Sequence, residues 1–132
     1  CDEPTSMLDV SIRISIMDLM LDLAKELNVS YLYITHDLAV ARYMCNRIAV
    51  MFNGKIVEIA KTEELLSNPT HPYTKRLISS IPVPDPSYTR VEYEVDFTEL
   101  DQIIKSNNKN LPMVDIGDEH FVATHDVKDL LI

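Results

Sequence analysis

Two adjacent carboxylates near the start of the chain, Asp2 and Glu3, are the side chains best suited to chemistry. They stand in the segment CDEPTSMLD, where a proline and a short polar loop lead into an apolar helix pattern. This order predicts a strand that ends at the carboxylates, and open α/β sheets bind ligands at such strand ends. An Asp there can hold Mg²⁺ through its waters, and the Glu beside it can polarise a water for attack on a phosphate. An acidic turn without chemistry is the alternative that the bare pair leaves open.

His36 is the second residue whose position suggests chemistry. Residues 29–35 are β-branched and aromatic, and the segment YLYI within them shows no polar alternation, which predicts a strand covered on both faces. His36 follows at the end of that strand, where its imidazole can hydrogen-bond a phosphate oxygen near neutral pH. The alternative is a structural or surface histidine.

Taken together, these two motifs resemble the ATP-binding-cassette (ABC) ATPases. In that family apolar residues lead into Asp-Glu-Pro-Thr and then Ser-x-Leu-Asp, which are the Walker B end and the D-loop. About thirty residues later a short strand ends in Thr-His-Asp. The segments DEPT, SMLD and ITHD stand in those places here.

The resemblance implies a role for each matching residue. Asp2 would be the Mg²⁺-site carboxylate, acting through water, and Glu3 the general base for the attacking water. Ser6 and Asp9 would be D-loop residues at the nucleotide site, and His36 the switch histidine that touches the γ-phosphate of ATP. The implied cofactors are therefore ATP and Mg²⁺.

Other family motifs are absent from this sequence. It contains no G-x-x-x-x-G-K-[ST] phosphate loop, no glutamine loop and no Leu-Ser-Gly-Gly-Gln signature, and its only glycines are Gly54 and Gly117. The chain also begins with Cys1, within the expected Walker B strand. These features predict the C-terminal part of a longer ATPase, which is inactive alone because nothing cradles the phosphates.

A later segment narrows the resemblance. NPTHPYTKRL, at residues 68–77, resembles a segment of the ATPases that drive dipeptide, oligopeptide and nickel import. Physically it predicts a proline-punctuated turn that enters a helix at residues 73–81, and nothing in it demands catalysis. The segment IPVPDP at residues 81–86 is also typical of that group. Some members carry a cysteine cluster for an iron–sulfur centre farther on, and none is predicted here.

Charge and hydropathy limit the possible partners. The net charge of −9 argues against a nucleic-acid partner, and no apolar run reaches the roughly 20 residues that a membrane span needs. Residues 1–84 hold ten acidic and eight basic side chains, whereas residues 85–132 hold eleven and four. We therefore predict two domains, an ATPase part at residues 1–86 and an acidic accessory extension at residues 87–132.

Local patterns predict an α/β fold, with buried strands, helices and one β-hairpin in the ATPase part and a small α+β extension. Asp9 should cap a helix over residues 10–27 that has one broad buried face and stops at Asn28. Asp37 should cap a second helix. The remaining predictions are a helix at 38–45, a hairpin of strands 47–52 and 55–60 around Asn53-Gly54, a helix at 62–66, a strand at 90–95, a helix at 98–105, and extended segments at 111–116, 120–124 and 127–131.

Three functions are compatible with these features. The first is an ATP-hydrolysing subunit of an ABC importer for peptides or a related solute, working with a second ATPase subunit and membrane permeases at the cytoplasmic face. The second is a non-transport ABC ATPase of the DNA-repair type, which should lack the His-Pro-Tyr-Thr segment and commonly joins coiled-coil arms. The third is a non-enzymatic acidic interaction module. The sequence does not reveal the solute.

Overall fold

The computed structural model describes residues 1–80 and 111–124. It separates into two compact units, one of Cys1–Asn46 and one that begins at Arg47. In the described part of the chain, no helix has the length and apolar character needed to cross a membrane.

The first unit contains α1 (Val10–Leu27) and α2 (Leu38–Met44), and both helices were predicted from sequence. Asn28 ends α1 in the left-handed conformation, with φ of 51°, as expected of an asparagine at this position. Asp37 caps α2, because its Oδ1 accepts hydrogen bonds from the first-turn amides of the helix. Asp9 occupies the N-cap position of α1, but its side chain accepts no hydrogen bond there, so the predicted carboxylate cap is wrong.

The predicted broad buried face of α1 is also wrong in this unit. Met17 is the only buried residue of the helix, whereas Leu19 and Leu27 are 53% and 62% exposed. The apolar spacing defines a real stripe, but a unit of this size has too few atoms to cover an 18-residue helix. The stripe therefore marks the face of α1 that is apolar enough to be buried, although this unit leaves most of that face exposed.

Residues 29–35 adopt less strand than predicted. They form a single parallel bridge, in which Asp2 pairs with Ile34, and Leu32 is 79% exposed. The expected strand covered on both faces is therefore wrong for this unit. Local β-propensity can favour extended backbone but cannot supply neighbours on both sides, and the one neighbour found in this unit is Asp2.

The second unit is built on the predicted hairpin of β1 (Arg47–Phe52) and β2 (Lys55–Lys61). Asn53 and Gly54 connect the strands with φ of 47° and 76°, so both central residues are in the left-handed region that a tight hairpin turn requires. The ladder shifts register between Val50 and Met51, whose partners are Glu58 and Ile56, so Val57 is the extra residue of a bulge in β2.

Two later strands extend this hairpin. β3 (Met113–Gly117) and β4 (His120–Ala123) form a second antiparallel hairpin, where two extended segments were predicted, and the sheet order is β1-β2-β4-β3. β4 pairs with β2 through Glu58 with Val122 and Ile59 with Phe121. The predicted elements at 90–95, 98–105 and 127–131, and the domain boundary at residue 86, lie outside the described residues.

Two short helices follow β2 in the second unit. These are α3 (Thr62–Ser67), which packs on β2 and β1, and α4 (Pro72–Ser79), which begins one residue earlier than predicted because a proline is well suited to the first turn. The unit buries Ile48, Val50, Val57, Ala60, Leu65 and Val122. The described chain thus combines helices with an antiparallel sheet.

Candidate functional site

Backbone pairing brings the two chemistry-bearing motifs of the first unit together. The amide of Glu3 donates to the carbonyl of Ile34 at 2.9 Å, and the amide of Ile34 donates to the carbonyl of Cys1 at 2.8 Å. Because this pairing is parallel, the segments that follow it emerge at the same end. Glu3 and His36, 33 residues apart in sequence, therefore become neighbours.

The side chains of these two residues are in direct contact. His36 Nδ1 lies 2.6 Å from Glu3 Oε1, and the two side chains are 75% and 42% exposed. The hydrogen bond and the negative charge of Glu3 raise the pKa of His36. Protonated imidazole carries two N–H donors, so one can hold Glu3 while Nε2 remains available to an anion.

The backbone at Glu3 is strained. Its φ is 41°, in the left-handed region that residues other than glycine, asparagine and aspartate rarely adopt. Such a conformation costs about 1–3 kcal/mol and tends to occur at functional sites. The strain therefore adds a structural reason, independent of sequence motifs, to treat Glu3 as a site residue.

Side-chain contacts hold the loop after Glu3 against the segment before His36. The buried Thr5 side chain shares a hydrogen bond of 2.9 Å with the hydroxyl of Tyr33. Arg13, from α1, donates to the carbonyl oxygens of Ser6 and Leu8. A small hollow lies between these groups, and Glu3, Ser6, Arg13 and His36 are among its lining residues.

The other predicted site residues are placed differently. Ser6 lines the hollow, and its hydroxyl donates to the carbonyl of Glu3 at 3.0 Å. Asp2 and Asp9 are exposed and are not among the lining residues. The structure thus brings Glu3, Ser6 and His36 together, while Asp2 adjoins them along the backbone and Asp9 lies at the start of α1.

The second unit contains another glutamate–histidine contact. Glu58 is fully buried, and its Oε1 lies 2.7 Å from Nε2 of the buried His120. The Glu58 carboxylate also accepts hydrogen bonds from the backbone amides of Thr70 at 2.8 Å and His71 at 3.0 Å. One carboxylate thus joins β2, the start of the His-Pro-Tyr segment and β4.

His71, in that segment, acts as a helix cap. Its Nδ1 accepts a hydrogen bond of 3.1 Å from the amide of Tyr73 at the start of α4. Burial lowers the pKa of His71 to about 4, and the nearby Glu58 only partly opposes this effect. His71 is therefore neutral at physiological pH, as its role as an acceptor requires.

Sequence reasoning missed Arg13 and Glu58. Arg13 is an ordinary cation in a helix pattern, and only its place one turn after the polar loop hinted at a contact with that loop. Glu58 stands in an otherwise apolar strand segment, KIVEIAK, and a lone carboxylate at such a position was the available signal. His120 carried no motif signal either, and its Nε2 contacts the Glu58 carboxylate.

Comparison with known proteins extends these observations. Residues 57–104 match the family described as "Oligopeptide/dipeptide transporter, C-terminal region". The chain is 54% identical over 89 residues to the oligopeptide transport ATP-binding protein OppF of Bacillus subtilis, which covers 67% of this chain and 29% of that protein. It is 46% identical over 121 residues to OppF of Streptococcus pyogenes serotype M1, covering 92% and 39%.

A third relative is the glutathione import ATP-binding protein GsiA of Pectobacterium atrosepticum, 40% identical over 129 residues that cover 96% of this chain and 21% of that protein. The chain thus spans between 21% and 39% of the length of these curated relatives. The resemblance to the C-terminal part of the ABC ATP-binding proteins of the oligopeptide and dipeptide group, predicted from sequence, is confirmed.

Proposed function

We propose that this chain is the C-terminal part of the ATP-hydrolysing subunit of an ABC importer for peptides or a related solute. The observation that carries the proposal is the contact of 2.6 Å between Glu3 and His36, two residues from separate motifs that the Asp2–Ile34 bridge brings together. The names of the relatives, which refer to oligopeptide transport and glutathione import, support the same class of solute.

In this function Glu3 is the general base. His36 engages its Oε1, which leaves Oε2 to accept a hydrogen bond from the water that attacks the γ-phosphate. The hydrogen bond with His36 orients the carboxylate before the reaction begins. Positioning of this kind supplies much of the acceleration in phosphoryl transfer.

His36 provides the positive charge at the other side of the water. The Glu3 carboxylate favours the protonated imidazole, whose Nε2–H is then free to donate to a phosphate oxygen. A hydrogen bond between charged groups is stronger than a neutral one, and the charge that develops on the phosphate strengthens it further. The pair therefore acts on both reacting groups, since Glu3 activates the water and His36 stabilises the phosphate.

Asp2 is the residue proposed for Mg²⁺. No cluster of three or more histidine, cysteine or carboxylate side chains suited to a metal occurs within residues 1–80 and 111–124. Mg²⁺ fits this donor set nevertheless, because it commonly uses one or two carboxylates together with waters and substrate phosphates. When bound, the ion neutralises phosphate charge, and Asp2 would hold its water shell.

Ser6 and Asp9 belong, in this proposal, to the contact through which two ATPase subunits meet around the nucleotide. Ser6 is tied to the Glu3 carbonyl, so a change in that contact reaches the general base directly. The proposed partners are a second ATPase subunit, identical or paralogous, and membrane permeases. The proposed location is the cytoplasmic face of the cell membrane.

The finer fold assignment is also a proposal. We place residues 1–86 in a P-loop ABC domain whose phosphate-binding loop is supplied by sequence absent from this chain. By itself the chain then offers carboxylates and a histidine but no amide cradle for phosphates. It should bind Mg-ATP no better than millimolar in titration calorimetry.

The test uses the complete subunit, with Glu3→Gln compared against Glu26→Gln, a matched change at an exposed glutamate of α1. Loss of a positioned base should lower turnover by about 100-fold or more while ATP binding persists. Glu26→Gln should retain the parental rate. Turnover of the Glu3→Gln variant near the parental rate would remove Glu3 as the base, and no ATP hydrolysis by the complete protein would favour the acidic interaction module.

A further inference from the structure

Arg13 contacts the loop after Glu3 through its guanidinium. It lies in the first turns of α1, and its Nη2 donates to the carbonyl oxygens of Ser6 at 3.4 Å and Leu8 at 3.3 Å. Its Nη1 lies 3.8 Å from Asp37 Oδ2. One guanidinium thus reaches both the loop that starts at Glu3 and the residue that follows His36.

The contacts at either side are themselves anchored. The Ser6 amide and hydroxyl both donate to the Glu3 carbonyl, so the loop that Arg13 holds is fastened to Glu3. Asp37 uses Oδ1 to cap α2, which fixes its carboxylate and leaves Oδ2 for Arg13. Movement of Arg13 would therefore be passed on to both members of the Glu3–His36 pair.

We propose that Arg13 is a positioning residue that sets the spacing between Glu3 and His36 by clamping the two loops that carry them. A guanidinium suits this task because its planar fork donates in several fixed directions, whereas a lysine ammonium acts as a single flexible point charge. The guanidinium is engaged by two backbone carbonyls and Asp37, so its action passes through the general base and the histidine. The inference rests on the proposed function.

The experiment measures kcat and KM for ATP in the complete subunit for Arg13→Ala, Arg13→Lys and Lys25→Ala. Misplacement of catalytic groups by about 1 Å can cost 100-fold, so we expect kcat of Arg13→Ala to fall at least ten-fold, with KM within two-fold of the parent. Arg13→Lys keeps the charge but not the fork and should recover part of the rate. Lys25→Ala, which removes an exposed cation from the same helix, should leave both constants unchanged.

Asp37→Asn gives a second route to the same answer if Arg13→Ala does not fold. Asparagine keeps the oxygen that caps α2 but loses the charge that faces Arg13. We expect kcat to fall by several-fold in Asp37→Asn and to fall no further when Arg13→Lys is added, because both changes break one clamp.

An unchanged kcat in Arg13→Ala, a rise in KM alone, or additive losses in the double variant would overturn the role of Arg13. A parental subunit that hydrolyses no ATP would instead overturn the proposed function, and the clamp would fall with it. The two failures are therefore distinguishable in one set of measurements.

Discussion

A glutamate–histidine hydrogen bond occurs in each of the two units of the described chain, in opposite environments. Glu3 and His36 meet at 2.6 Å with side chains that are 42% and 75% exposed. Glu58 and His120 meet at 2.7 Å with side chains that are 0% and 4% exposed. Distance alone does not distinguish a site from a structural contact, whereas burial and the remaining partners do.

The partners explain the difference in role. The Glu58 carboxylate accepts two further hydrogen bonds from the backbone, so its lone pairs are committed to the fold. Glu3 retains an oxygen, and His36 a nitrogen, toward solvent. A buried carboxylate must be satisfied by its surroundings, and an exposed one can be satisfied by a ligand. Water access therefore marks the first pair as the candidate site.

The largest expected effect is a difference in folding stability between variants of the two glutamates. Glu58→Ala removes the acceptor of two amides and one imidazole in a buried place, and should lower the free energy of unfolding by about 3–5 kcal/mol. Glu3→Ala breaks only an exposed contact and should leave stability unchanged within experimental scatter. Guanidinium denaturation followed by circular dichroism measures both, and equal losses would erase the distinction.

The next effect is a dependence of stability on pH that arises from His71. Its pKa of about 4 in the folded chain lies below the ordinary value of 6.5, so the unfolded chain binds the proton more readily. Stability from this group is complete above pH 6.5 and is lost as pH falls from 6.5 toward 4, by about 3 kcal/mol in all.

Denaturation at several pH values, with His71→Asn as the matched variant, isolates that contribution. Asparagine can still cap α4 but does not titrate, so the variant should lose less stability on acidification than the parent. The raised pKa of His36 would act with the opposite sign, but solvent screens its exposed contact with Glu3, so His36 should not alter these curves measurably. Parallel pH curves for the parent and His71→Asn would contradict the assignment.

A smaller loss of stability is expected when the imidazole of the buried pair is removed. His120→Ala removes one hydrogen bond to a charged group while Glu58 keeps its two backbone donors, so the loss should be about 2 kcal/mol. His36→Ala is the counterpart at the exposed pair and should not change the denaturation midpoint. A loss in His120→Ala as large as that in Glu58→Ala would show that the backbone bonds contribute little.

The smallest effect tests a surface contact near the same strands. Lys61 of β2 lies 3.6 Å from Glu119 in the β3–β4 turn, and both side chains are more than half exposed. Lys61→Ala should cost less than about 1 kcal/mol, because solvent screens such pairs. A cost comparable to that of His120→Ala would show that surface ion pairing, and not the buried contacts, holds β4 to the hairpin.

Sequence predicted the elements that depend on local signals. α1 starts and stops where the apolar spacing and Asn28 indicate, and the β1–β2 hairpin forms around Asn53-Gly54, because each feature is encoded within a few residues. The exposure of the α1 stripe and of residues 29–35 was not predictable, since periodicity shows which face is apolar but not which neighbour covers it.

The same limit applies to the two glutamate–histidine pairs. The motifs around Asp2-Glu3 and Thr35-His36 indicated Glu3 and His36 one by one as candidate site residues, and the structure adds their direct contact. Glu58 and His120 are 62 residues apart and belong to no common motif, so only the pairing of β4 with β2 reveals their contact. The left-handed backbone at Glu3 was likewise invisible, because nothing in a glutamate favours it.

The 62-residue separation of Glu58 and His120 has a consequence for the order of folding. A tight hairpin such as β1–β2 closes within microseconds, yet at about 5–20 residues per second the ribosome needs several seconds more to reach residue 120. Until then the Glu58 carboxylate lacks its imidazole and must keep some of its water. Docking of β4 thus covers the free edge of β2 and encloses the Glu58 carboxylate, and a nascent chain truncated before His120 should expose that edge to proteases.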